Sequence, residues 1–331
     1  MLAGLTTPTH LRRRDGGDTG YATWLETFYD LVFAVAVSSL DGLLAGDTSV
    51  PGLLRFAGLF VPFWWIWTGQ VVFATRYDMD NLFHHLCAFT QMLAVAAMAV
   101  QSPSVANDGA MGFAAAYVVA RLTLLALYAS ARRDVPQARD ITTVYLRGFA
   151  PGVALWAVSI ITPPPLRYEL WGLGLAIDLA TPWLGRPALE KFPVDASHLP
   201  DRFGNFLIII LGVSILSVVT GVSTVHWRLA SSLTAAMAFV LSVCVWWCYS
   251  IFYGTARRGG LDHHLRAGAP YIYAHLPIVV GLAAVGVSIQ LLIVESSKTA
   301  LSVGCHGSRR HPRLHAAVCS ARYAQGEGDA A

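Results

Sequence analysis

The sequence predicts an all-α polytopic membrane protein, a helix bundle with about nine transmembrane helices. Only 13% of its 331 residues are charged and 55% are hydrophobic, whereas soluble domains carry about 25% charged residues. Apolar runs recur along the chain, each close to the roughly 20 residues that span a bilayer core as a helix. The runs are continuous rather than alternating, which favours helices over the strands of a closed barrel, the other fold that lipid permits.

Nine apolar segments are separated by links that contain charges or helix-breaking residues. The links include Ser102-Pro103, three consecutive prolines at 163–165, and the stretch from Gly185 to Asp201. The expected bounds of the segments are 24–45, 51–74, 81–102, 109–131, 141–161, 168–184, 203–221, 229–253 and 270–294.

Lysine and arginine are concentrated in alternate links, which predicts a cell-membrane protein with a cytoplasmic N-terminus. Residues 12–14 are all arginine, and the opposite links contain only Arg167 and Arg228 before residue 295. The basic residues expected on the N-terminal side are Arg76, Arg132, Arg133, Arg139, Arg186, Lys191, Arg202, Arg257, Arg258 and Arg266. They suit anionic lipids of the inner leaflet, and their scatter over many links does not fit a nucleic-acid partner.

Segments one to three resemble segments seven to nine in the same order, which predicts a parallel internal repeat. The matching stretches are 26–30 with 201–205, 64–67 with 246–249, and 94–101 with 283–290. We expect a cytoplasmic N-terminal segment at 1–23, a first six-helix repeat at 24–184, a cytoplasmic linker at 185–202, and a partial second repeat of three helices at 203–294.

Residues 295–331 change abruptly to a mixture of Gly, Arg, His, Ala and Cys without a helical pattern. We therefore expect a disordered tail. Because the repeat also stops after nine of twelve expected helices, we predict a truncated or frameshifted reading frame from roughly residue 298.

Several spaced motifs resemble the bacterial low temperature requirement protein A family. They occupy residues 24–33, 64–67, 73–78, 198–204 and 271–277. The resemblance covers about residues 20–295. It implies a multi-pass membrane protein that is linked by name to growth in the cold, without an established reaction. The family has a Leu-Gly-Glu motif in the seventh segment, whereas this chain has Leu211-Gly212-Val213, so an apolar residue replaces a membrane-buried carboxylate.

Ionisable residues within spans are costly and mark candidate functional sites. Glu26 and Asp30 are four residues apart, and therefore lie on one helix face. With their repeat counterparts Asp201 and Asn205, they are expected to line an ion or substrate pathway. The alternative is a polar cap that binds neighbouring helix ends.

Three further ionisable residues are candidates for the same pathway. Arg121 is expected to pair with Asp30 or Asp178, or to extend to the headgroups, and Asp178 is interpreted mainly as an arginine partner. His275 could relay protons near neutral pH, and interfacial hydrogen bonding is the alternative.

The tryptophans of segments two and eight form two clusters, which favour packing or an interfacial belt over an aromatic-lined pocket. They are Trp64, Trp65, Trp67, Trp246 and Trp247. The five cysteines show no ligand spacing, so we predict neither a metal nor a cofactor.

Three functions remain open on these residues. The favoured one is a transporter or channel for an ion or small molecule, with a carboxylate-containing site between the repeats. The alternatives are a membrane lipid-handling enzyme and a non-catalytic accessory protein that affects growth in the cold. A non-enzymatic role is favoured, and the sequence gives no signal for the oligomeric state.

Overall fold

The computed structural model describes residues 8–11, 23–78, 81–191, 198–225, 229–255 and 269–308, and within these residues it is a bundle of long helices. The long helices are α1 Trp24–Gly46, α2 Val50–Ala74, α3 Leu82–Gln101, α4 Gly109–Asp134, α5 Arg139–Ser159, α6 Leu166–Leu184, α8 His198–Val225, α9 Leu229–Thr255 and α10 Ala269–Ser308. A short helix, α7 Arg186–Leu189, follows α6, and 3₁₀ turns occupy Ser102–Ser104 and Pro136–Ala138. The predicted all-α polytopic bundle is confirmed.

Eight of the described helices are long and apolar enough to cross a membrane. The exception among the nine long helices is α6, whose 19 residues include Arg167, Glu169 and Asp178. Two of these charges lie inside the bundle. The Nε–H of Arg167 donates to the carbonyl oxygens of Ser159 and Thr162, and Asp178 pairs with an arginine of α4. The polarity of α6 is therefore satisfied by its neighbours.

Helix α2 lies at the centre of the bundle. Contacts between neighbouring helices run in the order α1, α3, α4, α5 and α6. Helix α10 contacts α8, and α8 contacts α1. The contact between α6 and α10 depends on Tyr273, whose hydroxyl donates to the carbonyl oxygen of Leu179 at 2.5 Å and whose ring packs on Trp183. Helix α9 contacts only α8 and α10 extensively among the described elements, and it is the most exposed of the spans.

Residues 8–11 pack against one end of the bundle. Strand β1 (His10–Leu11) pairs antiparallel with β2 (Tyr77–Asp78), which follows α2. The hydroxyl of Thr9 donates to a carboxylate oxygen of Asp134 at the end of α4. Residues 8–11 and the links after α2 and α4 therefore lie at the same end of the bundle, as an alternating chain requires.

Two helix boundaries differ from the sequence expectation by five residues or more. Helix α8 begins at His198 rather than at 203. Pro200 falls in its first turn, where backbone N–H groups make no intrahelical hydrogen bond, so the missing N–H of proline does not interrupt the helix. Helix α10 continues to Ser308, past the expected end at 294, since the sequence contains no proline between 278 and 311. The expectation of a tail without helix from 295 is therefore wrong as far as 308, and residues 309–331 lie outside the described residues. The repeat stays a prediction.

Candidate functional site

Two acidic residues of α1 face two basic residues of α8. Glu26 and Asp30 are one turn apart on α1, and His198 and Arg202 are one turn apart on α8. A nitrogen of Arg202, Nη2, lies 2.8 Å from Oδ1 of Asp30, and Nε2 of His198 lies 3.2 Å from Oε1 of Glu26. We call these four residues the α1–α8 site. The i,i+4 spacing on both helices is what places two acid–base pairs in register.

Asp30 is the most enclosed member of the α1–α8 site, with none of its side chain exposed. Its Oδ1 accepts hydrogen bonds from Arg202 and from the indole Nε1–H of Trp67, each at 2.8 Å. Its Oδ2 is buried and has no hydrogen-bond partner in the described structure. One carboxylate oxygen is therefore held firmly, while the other is left without a donor.

Glu26 lies one turn closer to the end of the bundle. The backbone N–H of Thr23 donates to its Oε2 at 2.7 Å, while the Thr23 hydroxyl accepts from the N–H of Glu26, which forms a capping box. The same Oε2 lies 3.9 Å from Nη1 of Arg202. Arg202 thus lies between both carboxylates, and it is 1% exposed. The first turn of α1 favours carboxylates because of the helix dipole.

Aromatic rings enclose the α1–α8 site on the side of α2. The Trp67 ring lies 4.9 Å from that of Phe203 and 4.1 Å from that of Phe206, measured between centroids. Trp64 packs on Trp67 and on both phenylalanines. This apolar wall lowers the local dielectric and therefore strengthens the electrostatic interaction of Asp30 with Arg202.

A second buried ion pair joins α4 to α6. Nη2 of Arg121 lies 2.8 Å from Oδ2 of Asp178, and the hydroxyl of Tyr117 donates to the same oxygen at 3.4 Å. The Arg121 guanidinium also lies over the ring of Phe149, 4.4 Å from its centroid. Arg121 therefore pairs with Asp178 rather than with Asp30, and it is too deeply buried to extend to the headgroups.

Two glycines of α5 allow the close approach of α6. A Cβ at Gly148 would collide with Thr181, and one at Gly152 would collide with Oδ1 of Asp178. Pro151, between them, lies on the exposed face of the helix. The small-residue spacing of 148 and 152 is therefore a true helix-packing motif.

His275 belongs to a separate polar group at the same end of the bundle. Its Nδ1 lies 2.7 Å from the carbonyl oxygen of Tyr271, so this nitrogen carries a proton. Its Nε2 lies 3.2 Å from the hydroxyl oxygen of Tyr249, and accepts a hydrogen bond from it when the ring is neutral. The ring of His275 packs on Phe203, the neighbour of Arg202 in sequence.

The structure separates other residues that the sequence grouped together. The α8 residues that contact Glu26 and Asp30 are His198 and Arg202, while Asn205 is exposed and Asp201 is half-buried on the same helix. Trp64, Trp65 and Trp67 are buried in the centre, whereas Trp246 and Trp247 are exposed on α9. The two tryptophan clusters thus do not form a common pocket.

Sequence reasoning missed His198 and Arg202 as partners of the acidic pair, because both were assigned to a linker. Their i,i+4 spacing repeats that of Glu26 and Asp30 with opposite charge, and this was the available signal. Among the described residues, no group of three or more His, Cys, Asp or Glu side chains is placed to hold a metal ion.

Comparison with known proteins identifies relatives over most of the chain. The sequence pattern of the bacterial low temperature requirement A protein (LtrA) family matches residues 21–322, so the resemblance seen in the motifs is confirmed. An uncharacterized protein of Rhizobium meliloti (strain 1021) is 28% identical over 292 residues, which cover 83% of this chain and 70% of that protein. No solved structure matches the chain significantly.

Proposed function

We propose that this chain, which belongs to the bacterial low temperature requirement A family, is a membrane transport protein with its ion site between α1 and α8. The observation that carries the proposal is the position of Asp30, a carboxylate buried within a span whose Oδ2 lacks a hydrogen-bond donor. Its other oxygen pairs with the Arg202 guanidinium, which also lies beside Glu26. Ionisable groups at such positions are expensive, and are characteristic of ion pathways and proton relays.

The α1–α8 site provides two carboxylates at different depths. Glu26 and Asp30 are four positions apart, which is about 6 Å along a helix axis. Glu26 is 10% exposed and Asp30 is fully buried. An ion or proton that enters from the N-terminal end of α1 would meet Glu26 first and Asp30 second.

The ion pair between Arg202 and Asp30 limits the kinds of transport that the site supports. A cation that binds Asp30 must compete with a guanidinium 2.8 Å away. A continuously open cation pore would leave its carboxylates free for the permeant ion, so the closed pair favours a gated step. In that step, protonation or cation binding at Asp30 releases Arg202, and α8 shifts relative to α1.

Ion flux in proteoliposomes tests this proposal. The purified chain and the variant Asp30→Asn are reconstituted at equal density, and flux is measured under separate H⁺, K⁺ and Na⁺ gradients. We expect the native chain to dissipate at least one gradient and Asp30→Asn to lose that flux. Absence of flux in the native chain under all three gradients would overturn the transport proposal.

A static ion pair is the competing interpretation of the same geometry. It predicts that Asp30→Asn lowers stability without any effect on transport. Measuring the unfolding transition of each reconstituted variant separates the two, because a variant that is folded but inactive supports the transport site.

A further inference from the structure

An apolar cavity lies between α8, α9 and α10, away from the α1–α8 site. Its volume is about 260 Å³, and its lining is almost entirely hydrocarbon. Val218 of α8, Val245 of α9 and Ile289 of α10 are among the lining residues. Dry apolar cavities of about 150 Å³ already admit a molecule the size of benzene, so this one is large enough for a longer hydrocarbon segment.

Small residues of α10 create the cavity. A Cβ at Gly286 would lie 2.8 Å from Cβ of Ser214, so α10 and α8 are in close contact there. A Cβ at Gly281, little more than one turn away, would meet no atom within 4 Å. The two helices therefore touch at Gly286, and space opens at Gly281.

The hydroxyl groups in the lining are already satisfied. Oγ of Ser214 donates to the carbonyl oxygen of Ile210 at 3.1 Å, and Oγ of Ser242 donates to that of Ala238 at 3.0 Å. A buried water needs two to four polar partners, which this lining does not offer. The cavity thus favours an apolar occupant.

The cavity opens towards the bilayer near the middle of the spans. Leu241, Ile278 and Val285 belong to the lining and are each more than 40% exposed on the outer surface. Leu241 lies near the centre of the span Ser231–Phe252, and Val285 lies well inside the span Ala269–Glu295. At that depth, the surrounding medium consists of acyl chains.

We propose that this cavity is a lateral binding site for one acyl chain of a membrane phospholipid. The chain enters between α9 and α10 and lies against α8, with its methylene groups in contact with Val218, Val245 and Ile289. The headgroup stays at the membrane surface, so the site selects for hydrocarbon rather than for a particular headgroup. This inference is independent of the ion site.

Photo-crosslinking tests the acyl-chain site in the intact protein. The chain is placed in phosphatidylcholine nanodiscs that contain a small fraction of phosphatidylcholine with a diazirine at mid-chain. Adducts are mapped by proteolysis and mass spectrometry. We expect adducts enriched on residues of α8, α9 and α10 that line the cavity, relative to outward-facing residues at the same depth, such as Val219 and Met237.

Two glycine variants provide the matched comparison. Gly281→Leu places a side chain in the cavity, while Gly212→Leu places the same side chain at an exposed position of α8 where a Cβ also meets no atom within 4 Å. We expect Gly281→Leu to lower the adduct yield at the cavity by about tenfold, as a loss of about 1.4 kcal/mol in binding would do. Gly212→Leu should leave the yield unchanged.

Two outcomes would overturn the acyl-chain site. One is a uniform distribution of adducts over the exposed surface of the native chain, which would indicate ordinary surrounding lipid alone. The other is an equal adduct yield at the cavity in native protein and in folded Gly281→Leu. The first outcome is informative even if Gly281→Leu does not fold.

Discussion

Arg202 and Asp30 are 172 positions apart in sequence, yet Nη2 of the arginine lies 2.8 Å from Oδ1 of the aspartate. This pair fastens the first turns of α8 to those of α1 inside the bundle. Two further groups contact this pair. The indole N–H of Trp67 donates to Asp30, and the carboxylate of Glu26 lies 3.9 Å from the Arg202 guanidinium. The chemistry of the candidate site depends on this contact.

Arg202→Met should destabilise the fold strongly, because it leaves Glu26 and Asp30 without their guanidinium. Removal of one partner of a buried pair typically costs about 3–5 kcal/mol. The double variant Arg202→Met with Asp30→Asn should lose less free energy of unfolding than the two single variants together. The free energy of unfolding of each variant is measured in mixed micelles.

Arg186→Met is the control for that experiment. Arg186 pairs with Glu190 at 2.8 Å, but both side chains are about half exposed. Exposed pairs contribute about 0–1 kcal/mol, so this variant should remain close to the native stability. If the losses in free energy of unfolding from the Arg202 and Asp30 substitutions were strictly additive, the two side chains would not be coupled.

Trp67→Phe should also lower stability, since it removes an N–H donor from Asp30 and retains an aromatic ring. Loss of a hydrogen bond to a buried charged group costs about 1.5–3 kcal/mol. Trp156→Phe removes an equal volume from another buried position, where the indole nitrogen makes no hydrogen bond in the described structure. Equal losses for the two variants, measured by the same unfolding assay, would argue against the Trp67–Asp30 bond.

Gly152→Ala should separate α5 from α6. Its Cβ would meet Asp178 and, at 2.9 Å, the carbonyl oxygen of Gly174. Overpacking typically costs about 1–3 kcal/mol. Gly172→Ala on α6 is the control, because its Cβ meets no atom within 4 Å, and alanine raises helix propensity by up to about 1 kcal/mol. Opposite signs for the two changes are expected in thermal unfolding, and a neutral Gly152→Ala would contradict the close approach.

The positive-inside distribution predicts a cytoplasmic N-terminus, which reporter fusions can check. A reporter that is active only in the cytoplasm should be active when fused before residue 8. It should be inactive when inserted in the link between α5 and α6, at 162–165, which lies at the opposite end of the bundle. The reverse pattern would invert the orientation, although it would leave the fold unchanged.

The helices could be predicted from the sequence because continuous apolar runs leave few alternatives in lipid. The start of α8 was missed for a physical reason. Pro200 and Asp201 have the composition of a link, but both residues are also favourable in the first turn of a helix. The boundary error placed His198 and Arg202 outside the membrane domain, and therefore concealed the basic half of the candidate site.

Pairing between distant helices was the part that local patterns could not supply. The spacing of Glu26 and Asp30 predicted one polar helix face, but nothing local indicates which of several helices covers it. Arg121 had two possible acidic partners in the sequence, and the approach of α6 to α5 at Gly152 brings Asp178 within its reach. The repeat alignment pointed to Asp201 and Asn205, whereas the bundle turns the adjacent face of α8 towards α1.

Flux through the chain with matched aspartate substitutions tests whether Asp30 is the ion site. Asp30 and Asp41 lie on the same helix, both are buried, and each has one carboxylate oxygen without a hydrogen-bond partner in the described structure. Asp30 pairs with the guanidinium of Arg202, whereas Asp41 accepts only from the Ser217 hydroxyl among its described hydrogen bonds. Native protein, Asp30→Asn and Asp41→Asn are reconstituted at equal density under the gradient that the native chain dissipates. Flux should be lost in Asp30→Asn and retained in Asp41→Asn. Retained flux in a folded Asp30→Asn variant would contradict this prediction.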